Sequence, residues 1–241
     1  MSKTILIYGG SSLISKELIN IYYQKNYNFI IFCRKKQLML NDLLNLKLDS
    51  GKFKIFETDL VDLQKNLELI SNIEQNIDGV IWISGYTGNP EIEFKNVEEA
   101  SNNIKINFLN PVLIINNLLP KIIDNGEGFL AVMCSVAGLR GRAKNIFYGS
   151  SKSGLITYLS GLRQKFQGKL NILTIIPGYM STNTFKESAP NFLITSPKKV
   201  ANIIVKAINK KKEIIYINFF WRIIMFLIKN IPEKIFKKLK F

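Results

Sequence analysis

Residues 3–15 read KTILIYGGSSLIS: a short apolar run, two glycines, two serines, then the start of an amphipathic pattern. An apolar, branched run that stops at Gly-Gly and resumes with helical spacing predicts a strand, a tight turn and a helix. Gly9 and Gly10 permit the turn, and Ser11 and Ser12 offer hydroxyl donors. The backbone N–H groups that open such a helix, together with its dipole, suit a phosphate. Leu13 places a side chain where backbone would approach that phosphate, Ile14 follows it, and Ser15 is small enough to keep the helix near the sheet. By itself the stretch reads equally as a phosphate-binding turn or as a Gly-Ser turn with no ligand.

The pattern recurs along the chain. Apolar runs at 28–33, 53–58, 80–84, 129–134, 170–176 and 213–217 join 3–8 as seven predicted strands, most of them continuous rather than alternating. Helical spacing fills 14–25, 60–73, 97–123, 147–166 and 197–209. Strands apolar on both faces, separated by helices, predict a Rossmann-like, doubly wound α/β fold: a mainly parallel seven-stranded sheet with helices on both faces and right-handed crossovers. In such sheets ligands bind beyond the carboxyl ends of the strands. The chain reads as one domain over 1–217, with 179–196 as a substrate lid and 218–241 as an apolar, basic tail.

Composition narrows the chemistry. The 241 residues are 47% hydrophobic and 21% charged, which suits a globular protein. The N-terminal stretch does not read as a signal peptide, and Cys33 and Cys134 lie inside apolar runs as core residues do, so a cytoplasmic protein is expected. The chain contains no histidine, which excludes Ser-His-Asp and Cys-His catalysis and most zinc sites; no metal is expected. Acid–base chemistry must then come from a carboxylate, a thiol, or a tyrosine or lysine with a shifted pKa. The net charge of +15 reads either as a composition rich in Lys, Asn and Ile or as attraction to a polyanion. It clusters at 140–144 and 229–240.

The second strand ends in Cys33-Arg34-Lys35-Lys36. An acid there suits a ribose hydroxyl, whereas Arg34 with Lys35 suits a 2′-phosphate; the plain alternative is a solvated basic turn. Asp59, before Leu60, is placed to accept from an adenine amino group or to cap the next helix. The stretch CSVAGLRGRAKNIFYGSSKSG, 134–154, puts Tyr148 and Lys152 four apart on one helical face, thirteen residues after Ser135.

In this order the turn, the basic strand end, the Thr-Asp-Leu, Asn107, Ser135, Tyr148-x-x-x-Lys152 and Pro177-Gly178 resemble the short-chain dehydrogenase/reductase family over essentially the whole chain. The sequence departs from that family at Leu13 and Ser15, and at Ser84-Gly85 where Asn-Asn-Ala-Gly is usual. The resemblance implies that Tyr148 passes a proton to a carbonyl oxygen, with its pKa lowered by Lys152. Ser135 steadies the same oxygen, and Asn107 fixes a water that relays protons to Lys152. It further implies NADPH/NADP as cofactor, with NAD as an alternative. That cofactor is held by Gly9, Gly10, Ser11, Ser12, Leu13, Ile14, Arg34, Lys35, Asp59, Leu60, Ser84, Gly85, Tyr148, Lys152, Pro177, Gly178, Met180 and Thr182.

For the substrate, Arg140, Arg142 and Lys144 lie between Ser135 and Tyr148 and read as an anion site or a solvated loop. The irregular 179–196 stretch carries Met180, Phe185, Phe192 and Leu193 as lid residues. The tail is too short to span a bilayer and reads as an interfacial segment on anionic lipid or as a helix on a subunit partner. Within the family, Ser135, Ala137, Gly138, Arg140, Arg142, Asn145 and the Tyr148–Gly154 residues are most similar to the decaprenylphosphoryl-2-keto-pentose reductases. That branch implies a lipid-linked keto-sugar substrate near Arg140, Arg142, Asn145 and Phe185, on the inner face of the membrane. The alternatives are a long-chain keto-lipid reductase and a non-catalytic basic binding protein. Nucleic acid is not expected as a partner, and a homo-oligomer, dimer or tetramer, is.

Overall fold

A computed structural model describes residues 2–123, 126, 128–181 and 190–239. Seven strands, β1 Thr4–Tyr8, β2 Asn28–Cys33, β3 Phe53–Glu57, β4 Gly79–Trp82, β5 Phe129–Met133, β6 Asn171–Pro177 and β7 Ile214–Ile217, form one sheet in the order β3-β2-β1-β4-β5-β6-β7. Every neighbouring pair is parallel, so each strand can bury both faces and each connection crosses over the sheet. All seven predicted strands are present, with ends shifted by a residue or two.

One face of the sheet is covered by α1 Leu13–Tyr23, α2 Lys36–Asn45 and α8 Pro197–Asn209, whose Leu18, Met39 and Ile204 meet Ile5, Ile31 and Ile175 of the strands. The other is covered by α3 Leu63–Ser71, α6 Asn110–Ile123 and α7 Ile146–Lys165, whose Ile70, Ile114 and Leu159 meet Leu6, Val80 and Leu130. Tyr8 stacks between Phe32 and Trp82 at centroid distances of 4.3 and 4.2 Å, tying β2, β1 and β4 together.

The helix expected over 97–123 is interrupted. After α4 Pro90–Glu93, α5 Val97–Ile104 runs into a π-helical turn, Lys105–Leu109, before α6 continues. The widened turn carries Asn107, and such turns recur at functional sites. The combined stretch is long and apolar enough to cross a bilayer, but Ile114, Ile115, Leu118 and Ile122 are fully buried against the sheet.

The tail is not an appendage to the fold. After β7, α9 Phe220–Asn230 and α10 Glu233–Phe236 fold back, and Trp221 and Met225 join Val136, Ile176 and Leu193 in a third apolar cluster. The outer side of α9 stays apolar and exposed, with Phe219 65%, Phe226 69% and Leu227 61% accessible.

Candidate active site

The strand order reverses between β1 and β4, and the loops beyond their carboxyl ends flank a crevice. The turn after β1 is pinned from behind: Gly9 N and Gly10 N donate to Phe32 O at 3.0 and 3.2 Å. Gly9 sits at φ 92°, a left-handed conformation open to glycine, and a Cβ there would stand 2.7 Å from Ser84 Oγ. Ser12 caps α1, its hydroxyl accepting from Ser15 N at 3.0 Å. Ser15, where the family carries glycine, is fully buried and donates through Oγ to Gly9 O at 2.8 Å. This departure therefore locks the turn. Leu13 is 44% exposed and lines the crevice at the helix N-terminus.

The chemical residues meet at the carboxyl end of β5. Ser135 opens a 3₁₀ turn, Val136–Leu139, and its Oγ accepts from Ala137 N at 3.1 Å. Tyr148 and Lys152 project from the first two turns of α7, and Lys152 Nζ lies 5.8 Å from the Tyr148 ring centroid. Lys152 is 2% exposed and donates through Nζ to Met133 O at 3.2 Å. Burial pulls its pKa below the usual lysine value, with the Cys134 thiol acting the other way. Burial pushes the Tyr148 phenol up to about 12, against the lowering hydrogen bond from Ser135. The direction differs from the lowering by Lys152 that the resemblance implies: desolvation dominates, and the Lys152 ammonium, 5.8 Å over the ring, is itself desolvated.

Asn107 is fully buried behind this pair. Its Nδ2 donates to Tyr86 O at 2.6 Å, to Asn103 O at 3.0 Å and to Asn103 Oδ1 at 2.8 Å, while its Oδ1 accepts from Tyr86 N at 3.0 Å. Oδ1 and Lys152 Nζ flank one point: a Cβ on Gly85 would lie 3.1 and 3.2 Å from them.

Among the described residues a cavity of about 710 Å³ joins these parts. Ser11, Ser12, Leu13, Ile14, Gly85, Pro177, Gly178 and Met180 line it together with Ser135, Tyr148 and Lys152. Arg142, Lys144 and Asn145 line it too. Arg34 and Lys35 stand exposed where β2 ends, and Asp59 with the half-buried Leu60 where β3 ends, along the same edge of the sheet but outside the cavity wall. Asp59 turns its carboxylate onto Val61 N at 3.1 Å, and the cap of α3 is Asp62. Thr182 and Phe185 lie outside the described residues; the segment's two ends are joined by a bridge between Met180 and Thr195.

Arg140 needs correcting. Its guanidinium pairs with Glu233 at 2.6 Å, donates to Ile231 O at 3.2 Å and lies 4.4 Å over the Phe236 ring, so it clips the C-terminal segment and does not line the cavity. Sequence reasoning also missed Trp221, Tyr86 and Thr87 in the wall, whereas Tyr179, also in it, opens the segment expected as a lid. For Trp221 the signal was present but ambiguous: a bulky apolar residue in a run that Asn218 and Arg222 interrupt.

A carbonyl oxygen in this cavity could meet the Ser135 and Tyr148 hydroxyls together, an arrangement for proton transfer at a carbon–oxygen bond. Comparisons with known proteins agree. The short chain dehydrogenase family profile matches residues 3–191. The chain is similar to the ketoacyl reductase HetN of Nostoc, 27% identical over 225 residues that cover 90% of this chain and 78% of the relative. A short chain dehydrogenase from Burkholderia cenocepacia in complex with NADP superimposes with a TM-score of 0.83 at 14% identity, over 100% of this chain and 98% of the other. ElxO with NADP bound gives 0.80 at 20% identity, over 92% and 99%. The chain belongs to the short-chain dehydrogenase family and is an NAD(P)-dependent oxidoreductase.

Proposed function

We propose that the protein is an NADPH-dependent reductase that delivers hydride to the keto group of a lipid-linked, phosphorylated keto-sugar at the inner membrane face. The cofactor, when bound, supplies the hydride. The first turn of α1 offers its backbone N–H groups to the pyrophosphate, and Arg34 with Lys35 matches a 2′-phosphate. Two structural neighbours hold NADP, which supports that preference. Tyr148, protonated through neutral pH, gives its proton to the carbonyl oxygen, and Ser135 holds the same oxygen.

The observation that carries the substrate class is Arg142. It lines the reaction cavity beside Lys144, so an anionic group entering the cavity would meet two cations, and its buried Nε has no hydrogen-bond partner among the described residues to hold the guanidinium elsewhere. The exposed apolar side of α9, with Arg222 and Lys229 on the same helix and Lys234, Lys237 and Lys238 beyond it, suits the surface of an anionic membrane. The similarity to a ketoacyl reductase supports a second reading, a long-chain keto-lipid without phosphate. For α9, the second reading is a subunit contact.

The test is NADPH oxidation with a polyprenyl-phosphoryl 2-keto-pentose and, separately, a long-chain 3-ketoacyl ester, with Tyr148→Phe as blank. Turnover of the keto-sugar alone is expected. Turnover of the ester alone installs the second reading, and silence on both with NADPH bound rejects each substrate. Sedimentation with phosphatidylglycerol vesicles, against gel filtration without lipid, separates the two readings of α9.

A further inference from the structure

The loop after β4, which begins with Ser84-Gly85 where the family's Asn-Asn-Ala-Gly is usual and runs on to Gly88, is held by a buried polar chain that starts at a carboxylate. Glu93, the last residue of α4, is 3% exposed. Asn103 on α5 is fully buried and donates through Nδ2 to Glu93 Oε1. Gly88, at φ 69°, leaves room for this pair; a methyl there would overlap both Glu93 Oε1 and Asn103 Nδ2. Among the described residues no ion pair neutralises Glu93, so the Asn103 amide is what repays the burial of a carboxylate.

The direction of the chain follows from its first member. A carboxylate only accepts hydrogen bonds, whereas an amide can present either end. Glu93 therefore draws the NH₂ of Asn103, which turns Asn103 Oδ1 toward Asn107, where it accepts from Nδ2 at 2.8 Å. That acceptor joins Tyr86 O at 2.6 Å and Asn103 O at 3.0 Å in holding Asn107 Nδ2, and leaves Asn107 Oδ1 to accept from Tyr86 N at 3.0 Å on the side of Gly85 and Lys152. The opposite Asn107 orientation would set an NH₂ against the Tyr86 N–H and beside the Lys152 ammonium. We propose that Glu93 is a positioning residue for the reaction: acting through Asn103, it reinforces the grip of the Tyr86 backbone on the Asn107 amide and so holds the amide oxygen on the Gly85 and Lys152 side of the cleft. The inference rests on the reductase reading for its effect on cofactor binding.

The polarity can be moved without changing shape. Glu93→Gln can offer an NH₂ to Asn103 and removes the directional constraint. Adding Asn103→Asp puts the acceptor-only group one step along the chain, where it accepts from the amide introduced at position 93 on one oxygen and from Asn107 on the other. NADPH titration by fluorescence and urea unfolding are run on wild type, Glu93→Gln and the double variant. We expect Glu93→Gln to weaken NADPH binding on the order of tenfold and to lower the urea midpoint, as loss of an outer-shell hydrogen bond does elsewhere. The double variant recovers both. Wild-type affinity and midpoint in Glu93→Gln, or no recovery on adding Asn103→Asp, overturns the proposal. A wild type that binds no NADPH refutes the reductase reading instead, and the midpoints alone then decide the chain.

Discussion

Replacing Ser15 with the glycine usual in the family should weaken the protein, although it brings the turn closer to the family pattern. Ser15 Oγ donates to Gly9 O at 2.8 Å from a fully buried position. Losing that bond costs about 1 kcal/mol; Gly9 O keeps its second donor, Ser12 N at 3.1 Å, so no carbonyl is orphaned and the cost stays near that average. Glycine in the first turn of α1 adds about 0.5 kcal/mol relative to serine. The sum, about 1.5 kcal/mol, corresponds to a fall of about 3–6 °C in Tm for a chain of this size. Thermal unfolding of Ser15→Gly beside wild type measures it, and NADPH titration of both proteins shows whether affinity changes; no gain is expected, because Ser15 faces Gly9 and not the crevice. A variant as stable as wild type, or one that binds NADPH more tightly, would refute the view that Ser15 is the lock of the turn.

Three further outcomes follow from the geometry. The folded-state pKa of Tyr148, about 12, lies above the unfolded value near 10, so the phenol contributes stability below about pH 10 that is lost as pH rises toward 12. Tyr148→Phe should abolish turnover, retain NADPH binding and lose less stability than wild type across that window, read from urea midpoints. Gly178→Ala places a methyl on the Trp221 indole and should cost about 1–3 kcal/mol, with α9 becoming a site of early proteolysis. Arg142→Ala should raise KM for a phosphorylated carbonyl substrate, whereas Arg140→Ala leaves KM near wild type and loosens the C-terminal segment; its pair with the exposed Glu233 is worth about 0.2–1 kcal/mol.

The strands were legible because each is a short run buried on both sides, and the chemical residues because they follow strands at fixed places. Apart from Trp221, what escaped had little local signal. Helix α2 buries only Met39 and Leu43, too little for a periodic stripe. The π-helical turn leaves the hydrophobic spacing nearly intact, and its Asn107 makes hydrogen bonds with Tyr86, 21 residues away. The partner of Arg140 lies 93 residues downstream, so a basic residue in the right loop read as an anion site until the fold closed on it. The shift of the Tyr148 phenol also needed three dimensions, since spacing places Lys152 nearby but says nothing of how much water either group keeps.

The placement of the two tryptophans gives the molecule two separate optical reporters. Trp82 is fully buried and stacked on Tyr8 at the centre of the sheet, so its emission shifts to the red when the strands separate. Trp221 forms part of the cavity wall, where a reduced nicotinamide would take up its emission by energy transfer. Quenching without a red shift thus reports occupancy of the cleft, and a red shift reports opening of the core, in the same cuvette.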